Sequence, residues 1–182
     1  MNKQYKLYII DKIDMQETLN QLYKLFDKKS IIDLGENKIA IEYDYHKKDY
    51  KSLIECMSKL PTTQNIVTSS KFLKVLKACI KQEILIDEIK LLDIFEEDNS
   101  NILKCINNIN YNQLERSKYI QKLLDELTWL NYSEGIDIKY MSFRIKSKNK
   151  PILIKFSLYD TGIVTIDADD VTDDVFNIIK LV

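Results

Sequence analysis

The sequence is poor in the residues that many chemical sites require. Among 182 residues there are three glycines, two prolines, three cysteines and one histidine. Gly35, Gly135 and Gly162 are isolated from one another, so neither a G-x-G-x-x-G fingerprint nor a P-loop can be written. His46, the only histidine, has no cysteine at ligand spacing, which argues against zinc. We therefore predict no cofactor and no metal, and a solvated loop position for His46.

Cysteine usage and hydropathy indicate the compartment. Cys56, Cys79 and Cys105 are odd in number and far apart, which favours reduced core thiols over a disulfide framework. No apolar run approaches the roughly 18 residues of a membrane span. The apolar stretch near the start, Leu7 to Ile10, is shorter than the about 7–15 residues of a signal peptide core. We expect a cytoplasmic protein that does not enter a membrane.

Length and composition are those of a globular chain. Apolar residues make up 45% and charged residues 30% of the sequence, and the net charge is −1. A chain of this length can bury roughly 70% of its unfolded surface. No whole-molecule field favours nucleic acid or an anionic membrane. The patterning described next predicts an α+β fold, as one compact domain or two tightly packed subdomains.

Residues 1–67 are predicted to form a β-α-β-β-α unit. Apolar alternation and turn residues mark strands, and apolar residues recurring every three or four positions mark helices. The predicted elements are strand 6–10, helix 14–28, strands 31–34 and 38–43, and helix 49–60, which stops at Pro61.

The remaining residues divide into a helical segment, 68–134, and a β-meander closed by a C-terminal helix, 135–182. Helices are predicted at 70–81, 87–97, 101–109 and 113–131. Strands are predicted at 136–147, 151–159 and 162–167, and the last helix at 172–181. The apolar parity shifts along the first of these strands, which predicts either a β-bulge or a late start of the strand near Tyr140.

The sequence fits neither the residue pattern of metal-dependent nucleases nor that of EF-hand calcium sites. The acid-x-Lys triplet of metal-dependent nucleases occurs five times, about as often as chance gives for 28 acidic and 27 basic residues. Only Asp137-Ile138-Lys139 falls on a predicted strand. The acidic run that begins at Asp167 fails the EF-hand pattern, because Thr172 and Ile178 stand where glycine and glutamate are required. We therefore predict no catalytic residue.

Charge is sorted into blocks along the chain. Residues 83–98 contain seven acids against Lys90, and residues 160–174 contain six acids and no base. Neutralisation across neighbouring elements is one interpretation, and separate surface patches are the other. If the blocks form patches, the candidate partner-binding acids are Asp167, Asp169, Asp170, Asp173 and Asp174, followed by Glu96, Glu97 and Asp98.

Trp129, the only tryptophan, falls opposite the apolar stripe of its helix. The pattern favours a second layer, such as the C-terminal sheet, that covers it. The alternative is an exposed anchor for a partner, a role in which tryptophan is enriched.

These observations favour a non-catalytic protein that occupies a surface of another protein. Acids on a rigid scaffold can rival nucleic acid for a basic cleft, because they present charge where phosphates would lie. In length, composition and lack of a reactive site the chain resembles the small anti-CRISPR inhibitors carried by phages and mobile elements. The resemblance implies an RNA-guided nuclease such as Cas9 as the partner. No motif carries it, and such inhibitors share no common fold, so it transfers no residues.

Two alternatives stay open. A nucleic-acid-binding module would use basic residues of the C-terminal strands and of the helix at 70–81, with Tyr140, Phe143 or Phe156 stacking on bases. Its candidate residues are Arg144, Lys146, Lys148, Lys150, Lys71 and Lys74. A toxin-immunity or adaptor protein is the second alternative.

Overall fold

The structure, a computed structural model, describes residues 2–44, 49–146, 152–168 and 173–182. It has the predicted α+β architecture, with helices packed on one antiparallel sheet. The strands are β1 (Asn2–Ile10), β2 (Ile31–Gly35), β3 (Lys38–Tyr43), β4 (Thr62–Gln64), β5 (Leu85–Leu91), β6 (Ile138–Lys146), β7 (Leu153–Tyr159) and β8 (Ile163–Asp167).

The helices are α1 (Met15–Leu25), α2 (Asp49–Met57), α3 (Ser69–Lys81), α4 (Glu96–Tyr111), α5 (Arg116–Ser133) and α6 (Asp173–Ile179). None of the helices in the described part of the chain is long and apolar enough to cross a bilayer. The predicted C-terminal meander and closing helix are confirmed, with ends that move by at most two residues.

Strand β1 holds the sheet together. The strand order is β2-β3-β1-β8-β7-β6-β5, and β4 also pairs with β1. One edge of β1 pairs with β3, while the other pairs with β8 along residues 2–6 and with β4 along residues 8–10. The sheet therefore contains strands from all three sequence segments.

Each face of β1 enters a different hydrophobic core. Tyr5 and Leu7 point to the larger core, where α3, α4, α5 and α6 pack on the inward side chains of β5 to β8. Tyr8 and Ile10 point the opposite way, to a smaller core formed with β3, α1 and α2. In the described residues, neither core includes the second face of β5 to β8. That half of the sheet is covered by helices on one face only.

The predicted helix at 87–97 is wrong, because residues 85–91 form the edge strand β5. The register of β5 against β6 shifts between Ile86 and Glu88, which leaves Asp87 as an extra residue in a bulge. Ile86 and Ile89 consequently face the same core although they are three residues apart. This spacing imitates the periodicity of a helix.

A second shift in the same ladder confirms the predicted bulge. Lys90 pairs with Tyr140, but Leu91 pairs with Ile138, so Lys139 is the extra residue on β6. Strand β4 was not predicted, because its three residues are too few to show alternation.

The edge strand β5 is tied to α4 by one side-chain amide. Asn110 Oδ1 accepts a hydrogen bond from the Ile86 N–H (3.1 Å), and Asn110 Nδ2 donates to the Ile86 carbonyl (2.7 Å). Asn110 thereby satisfies two backbone groups that an edge strand leaves unpaired. The contact fixes the direction of α4, which runs back along β5.

Gly162 lies where β1, β8 and the chain after β4 meet, and it provides a test of this junction. Its φ is +72°, and an added Cβ would come 2.1 Å from the Asn65 carbonyl oxygen. We expect Gly162→Ala to lower the free energy of unfolding by more than about 2 kcal/mol in urea denaturation. The backbone at Asn65 must move away from the new methyl group, and the alanine must adopt a strained φ.

Gly135→Ala is the matched control. Gly135 also has a positive φ, +68°, but no atom lies within 4 Å of the added Cβ. Its expected cost is about 1 kcal/mol, from conformation alone. Equal losses in the two variants would contradict the close approach at Gly162.

Candidate binding surfaces

Helices α4 and α5 form an antiparallel hairpin whose closed end is fixed by Arg116. The Arg116 side chain donates to the carbonyls of Ile109 (3.2 Å) and Ile80 (3.1 Å). The two helices are of similar length, so the first turn of α4 lies beside the last turn of α5 at the far end. The buried stripes that join them consist of Ile102, Cys105, Ile106 and Ile109 on α4 and Leu123, Leu127 and Leu130 on α5.

Large apolar side chains are exposed at this far end. Phe95 and Tyr132 are 74% and 75% exposed, Trp129 is 50% exposed, and Leu92 is also exposed. The predicted cover over Trp129 is therefore wrong, because the sheet packs against the other side of the hairpin. Trp129 instead borders a shallow surface groove of about 540 Å³, lined also by Lys118, Gln121, Lys122, Asp125 and Glu126.

Acidic residues accompany these apolar side chains. Residues 92–101 and 129–137, which form this end, contain six acids and no base: Asp93, Glu96, Glu97, Asp98, Glu134 and Asp137. Asp137 has a structural role, since it accepts hydrogen bonds from Ser69 Oγ (2.9 Å) and Asn131 Nδ2 (3.0 Å). The acids in the first turn of α4 also interact favourably with its dipole.

We name this surface the acidic-aromatic end. It consists of Leu92, Asp93, Phe95, Glu96, Glu97, Asp98, Trp129, Tyr132 and Glu134. The sequence selected Glu96, Glu97, Asp98 and Trp129 separately, and the hairpin brings them to the same end. Phe95 and Tyr132 were missed, because a single exposed aromatic residue leaves no periodic signal.

The second predicted acidic group lies elsewhere. Asp167 is exposed at the last position of β8, whose register places it opposite Asn2. Asp167 thus lies at the end of the sheet where β5 begins. The acidic-aromatic end lies at the opposite end, because α4 starts close to where β5 ends. Asp169 and Asp170 lie outside the described residues, Asp173 begins α6, and Asp174 is half-buried. The described members of the two acidic groups therefore do not combine into one patch.

The second candidate surface is the face of β5 to β8 that points away from helices α3 to α6. Tyr140 and Tyr159 lie side by side on β6 and β7, with ring centroids 4.9 Å apart and planes inclined by 41°. Phe143 and Phe156 point the opposite way and are fully buried, so of the three aromatic residues named for the nucleic-acid alternative only Tyr140 lies on this face. We name this surface the open tyrosine face, which consists of Asp87, Glu88, Lys90, Tyr140, Ser142, Arg144, Lys146, Lys155, Ser157 and Tyr159.

Asp87 organises the charges of the open tyrosine face. Its carboxylate accepts hydrogen bonds from Ser142 Oγ (3.2 Å), Lys155 Nζ (2.6 Å) and the Arg144 guanidinium. Burial alone would raise the pKa of Asp87, but the hydrogen bonds and charges of Lys155 and Arg144 outweigh it and hold the pKa below its ordinary value. Asp87 and Lys155 were missed because the sequence placed Asp87 on a helix.

Lys71 and Lys74, the predicted basic residues of α3, do not lie on this face. Lys71 Nζ donates to Asn65 Oδ1 (2.6 Å) and to the Ile66 carbonyl (2.8 Å), so it anchors the first turn of α3. Burial, with smaller contributions from Lys38 and Lys74, lowers the pKa of Lys71. Lys74 is exposed on α3, on the other side of the sheet.

Lys146 is exposed at the end of β6, while Lys148, Lys150 and His46 lie outside the described residues. Glu88-Ile89-Lys90 is an acid-x-Lys triplet that does lie on a strand, contrary to its predicted helical position. Within the described ranges, no group of three Asp, Glu, His or Cys residues could hold a metal ion.

Comparison with protein families, with curated proteins and with solved structures found no match to this chain. The two surfaces are therefore interpreted from their own chemistry.

The Asp87 contacts predict a pH-dependent contribution to stability. Because its folded pKa lies below the about 3.9 of an unfolded aspartate, the contribution is present above pH 4 and is lost as pH falls through the folded pKa. We expect Asp87→Asn to destabilise the protein by about 1 kcal/mol at pH 7, and by progressively less as pH falls below 4.

Urea denaturation followed by circular dichroism at each pH measures this difference. The control is Glu55→Gln, which alters an exposed pair with Lys51 (3.7 Å) and should change stability by a few tenths of a kcal/mol at most. A difference between wild type and Asp87→Asn that stays constant from pH 7 to pH 3 would contradict the ion-pair account.

The exposure of Trp129 has a spectroscopic signature. Because it is the only tryptophan, the tryptophan emission of the folded protein, excited where tyrosine does not absorb, reports on this residue alone. We expect a red-shifted spectrum that acrylamide quenches readily and that unfolding changes little. A blue-shifted spectrum would show that Trp129 is covered.

Proposed function

We propose that this chain is a non-catalytic inhibitor that binds a nucleic-acid-handling protein, and that the acidic-aromatic end carries the contact. The supporting observation is the combination at one end of the α4–α5 hairpin. Its five acids adjoin four exposed apolar side chains, and residues 92–101 and 129–137, which form this end, contain no base. Either feature alone is common on protein surfaces, whereas the two together match an anchor surrounded by a charged rim.

The charge of this end selects the kind of partner. Carboxylates on a helical scaffold attract a basic surface, speed encounter and make association salt-dependent. A cleft built for nucleic acid offers such a surface, because it is lined with lysine and arginine that otherwise neutralise phosphates. Glu96, Glu97 and Asp98 would occupy phosphate positions.

The aromatic residues supply affinity that charge alone does not. Phe95, Trp129 and Tyr132 are large side chains that exclude water when a partner covers them, and such residues dominate measured binding energies. The hairpin beneath them is packed through two buried stripes and fixed by Arg116. Little ordering is therefore required on binding.

An RNA-guided nuclease of the Cas9 type is the proposed partner class. Such enzymes hold the guide–target heteroduplex in a positively charged channel and read its backbone rather than its sequence. An acidic body with apolar anchors can enter or block that channel. The same chemistry suits other DNA-cleaving enzymes with a basic cleft, so the experiment includes them.

The test is a cleavage reaction into which the purified protein is titrated. The panel contains Cas9-type nucleases with guide RNA and target DNA, together with nucleases that need no guide. We expect stoichiometric inhibition of at least one RNA-guided enzyme, and we expect Glu96→Lys/Glu97→Lys and Phe95→Ala/Tyr132→Ala each to raise the half-inhibiting concentration by about tenfold or more.

The matched control is Glu17→Lys/Glu55→Lys, which makes the same charge change at exposed positions of α1 and α2. It should inhibit like the wild type, and circular dichroism should show that every variant is folded. Inhibition that the Glu96/Glu97 reversal leaves unchanged contradicts the assigned surface. Cleavage of a polynucleotide by the protein itself with Mg²⁺ or Mn²⁺, abolished by one Asp or Lys substitution, contradicts the non-catalytic role.

A further inference from the structure

The open tyrosine face is a built polar surface that the proposed inhibitory contact does not use. It lies on the sheet, whereas the acidic-aromatic end lies on the α4–α5 hairpin. Its side chains bond to one another across three neighbouring strands, β5, β6 and β7. A surface held in this way offers fixed positions to a ligand.

The two tyrosines form a supported aromatic platform. The Tyr140 hydroxyl lies 3.4 Å from Ser157 Oγ, and the Tyr159 ring packs against the Tyr140 ring. Both rings are half-buried, so each keeps part of its surface available. Adjacent, immobilised rings on a sheet are the arrangement on which unpaired bases stack.

Positive charge surrounds the platform. Lys90, Arg144, Lys146 and Lys155 stand on this face against Asp87 and Glu88, with Asp167 at the margin. Lys139 lies beyond and pairs with Asp160 at 3.9 Å. The face is thus more basic than acidic although the whole chain has a net charge of −1.

Asp87 already occupies an anion position within this group. One hydroxyl, one ammonium and one guanidinium converge on its carboxylate, which is only 9% exposed. The side chains of Arg144 and Lys155 remain 48% and 42% exposed, and both carry further N–H donors. A phosphate can therefore bind the outer donors of these two cations, in competition with the attraction of Asp87.

We propose that the open tyrosine face binds single-stranded nucleic acid, with bases stacked on Tyr140 and Tyr159 and phosphates at Lys90, Arg144, Lys146 and Lys155. Asp87 acts as an internal counter-ion that limits the affinity. Duplex nucleic acid is disfavoured, because its bases are stacked on one another and cannot reach the rings. The proposal does not depend on the inhibitory function of the acidic-aromatic end.

The test measures binding of fluorescein-labelled 12-nucleotide single strands of DNA and RNA, of mixed sequence, by polarisation. We expect weak binding that tightens as salt is lowered, with log K falling against log salt by about 0.7 for each phosphate contacted. The same sequences as duplexes should bind at least about tenfold more weakly. Tyr140→Leu/Tyr159→Leu should lower the affinity about tenfold, because both stacking surfaces are lost.

The most discriminating variant is Asp87→Asn. A structural role alone predicts equal or weaker binding, whereas an internal counter-ion predicts tighter binding, by about threefold or more, with a steeper salt dependence. Glu88→Gln, which removes an exposed acid beside the same cations, should tighten binding in the same direction and keeps the test valid if Asp87→Asn unfolds. Tyr111→Leu, at an exposed position on α4, is the control and should bind like the wild type.

Three outcomes would overturn the proposal. They are no binding of single strands at low salt, binding that the Tyr140/Tyr159 substitutions leave unchanged, and weaker binding by folded Asp87→Asn and Glu88→Gln. Loss of nuclease inhibition in the tyrosine variant without any binding of free strands would assign this face to a protein partner instead. The Glu96→Lys/Glu97→Lys variant should lose inhibition but still bind single-stranded nucleic acid. Failure of the nucleic-acid proposal is therefore distinguishable from failure of the inhibitory function.

Discussion

The whole architecture depends on the pairing of β1 along both of its edges. Through β3 it holds the N-terminal hairpin, and through β8 it holds the C-terminal meander, so one strand joins parts of the chain that are far apart in sequence. Its side chains supply both cores in alternation, Tyr5 and Leu7 to one and Tyr8 and Ile10 to the other. Strand β3 also reaches both cores, through Ala40 on one side and Ile41 on the other, but β1 is the strand that joins it to β8.

Both candidate surfaces follow from how the helices are distributed on this sheet. Helices α3 to α6 pack on one face, and α1 and α2 pack on the opposite face at the β2-β3-β1 side. In the described residues no helix packs on the second face of β5 to β8, and polar and tyrosine side chains of this face form the open tyrosine face. The α4–α5 hairpin is the outer layer of the larger core, so its far end projects acids and aromatic rings away from the sheet.

The sequence predicted the features that repeat with a regular period. The amphipathic helix α3, the strands of the C-terminal meander and the bulge near Tyr140 all leave such a signal. Strand β5 was misread because its own bulge replaces strand alternation with helix-like spacing. The Asp87 contacts and the exposure of Trp129 depend on which elements become neighbours, and local spacing carries no information about that. Glu96, Glu97 and Asp98 could be selected by charge count, but their proximity to Trp129 required the hairpin.

The central position of β1 also constrains the order of folding. On the ribosome β1 is made first, yet its partner β8 follows after more than 150 residues, as the pairing of Asn2 with Asp167 shows. Until then the edge of β1 that β8 covers is unpaired, and an unpaired strand edge is prone to join other chains. The pairing of β1 with β8 is therefore a late, long-range step that must overcome the entropy of closing a large loop. A nascent chain that stalls before β8 therefore keeps an exposed, unpaired edge on β1.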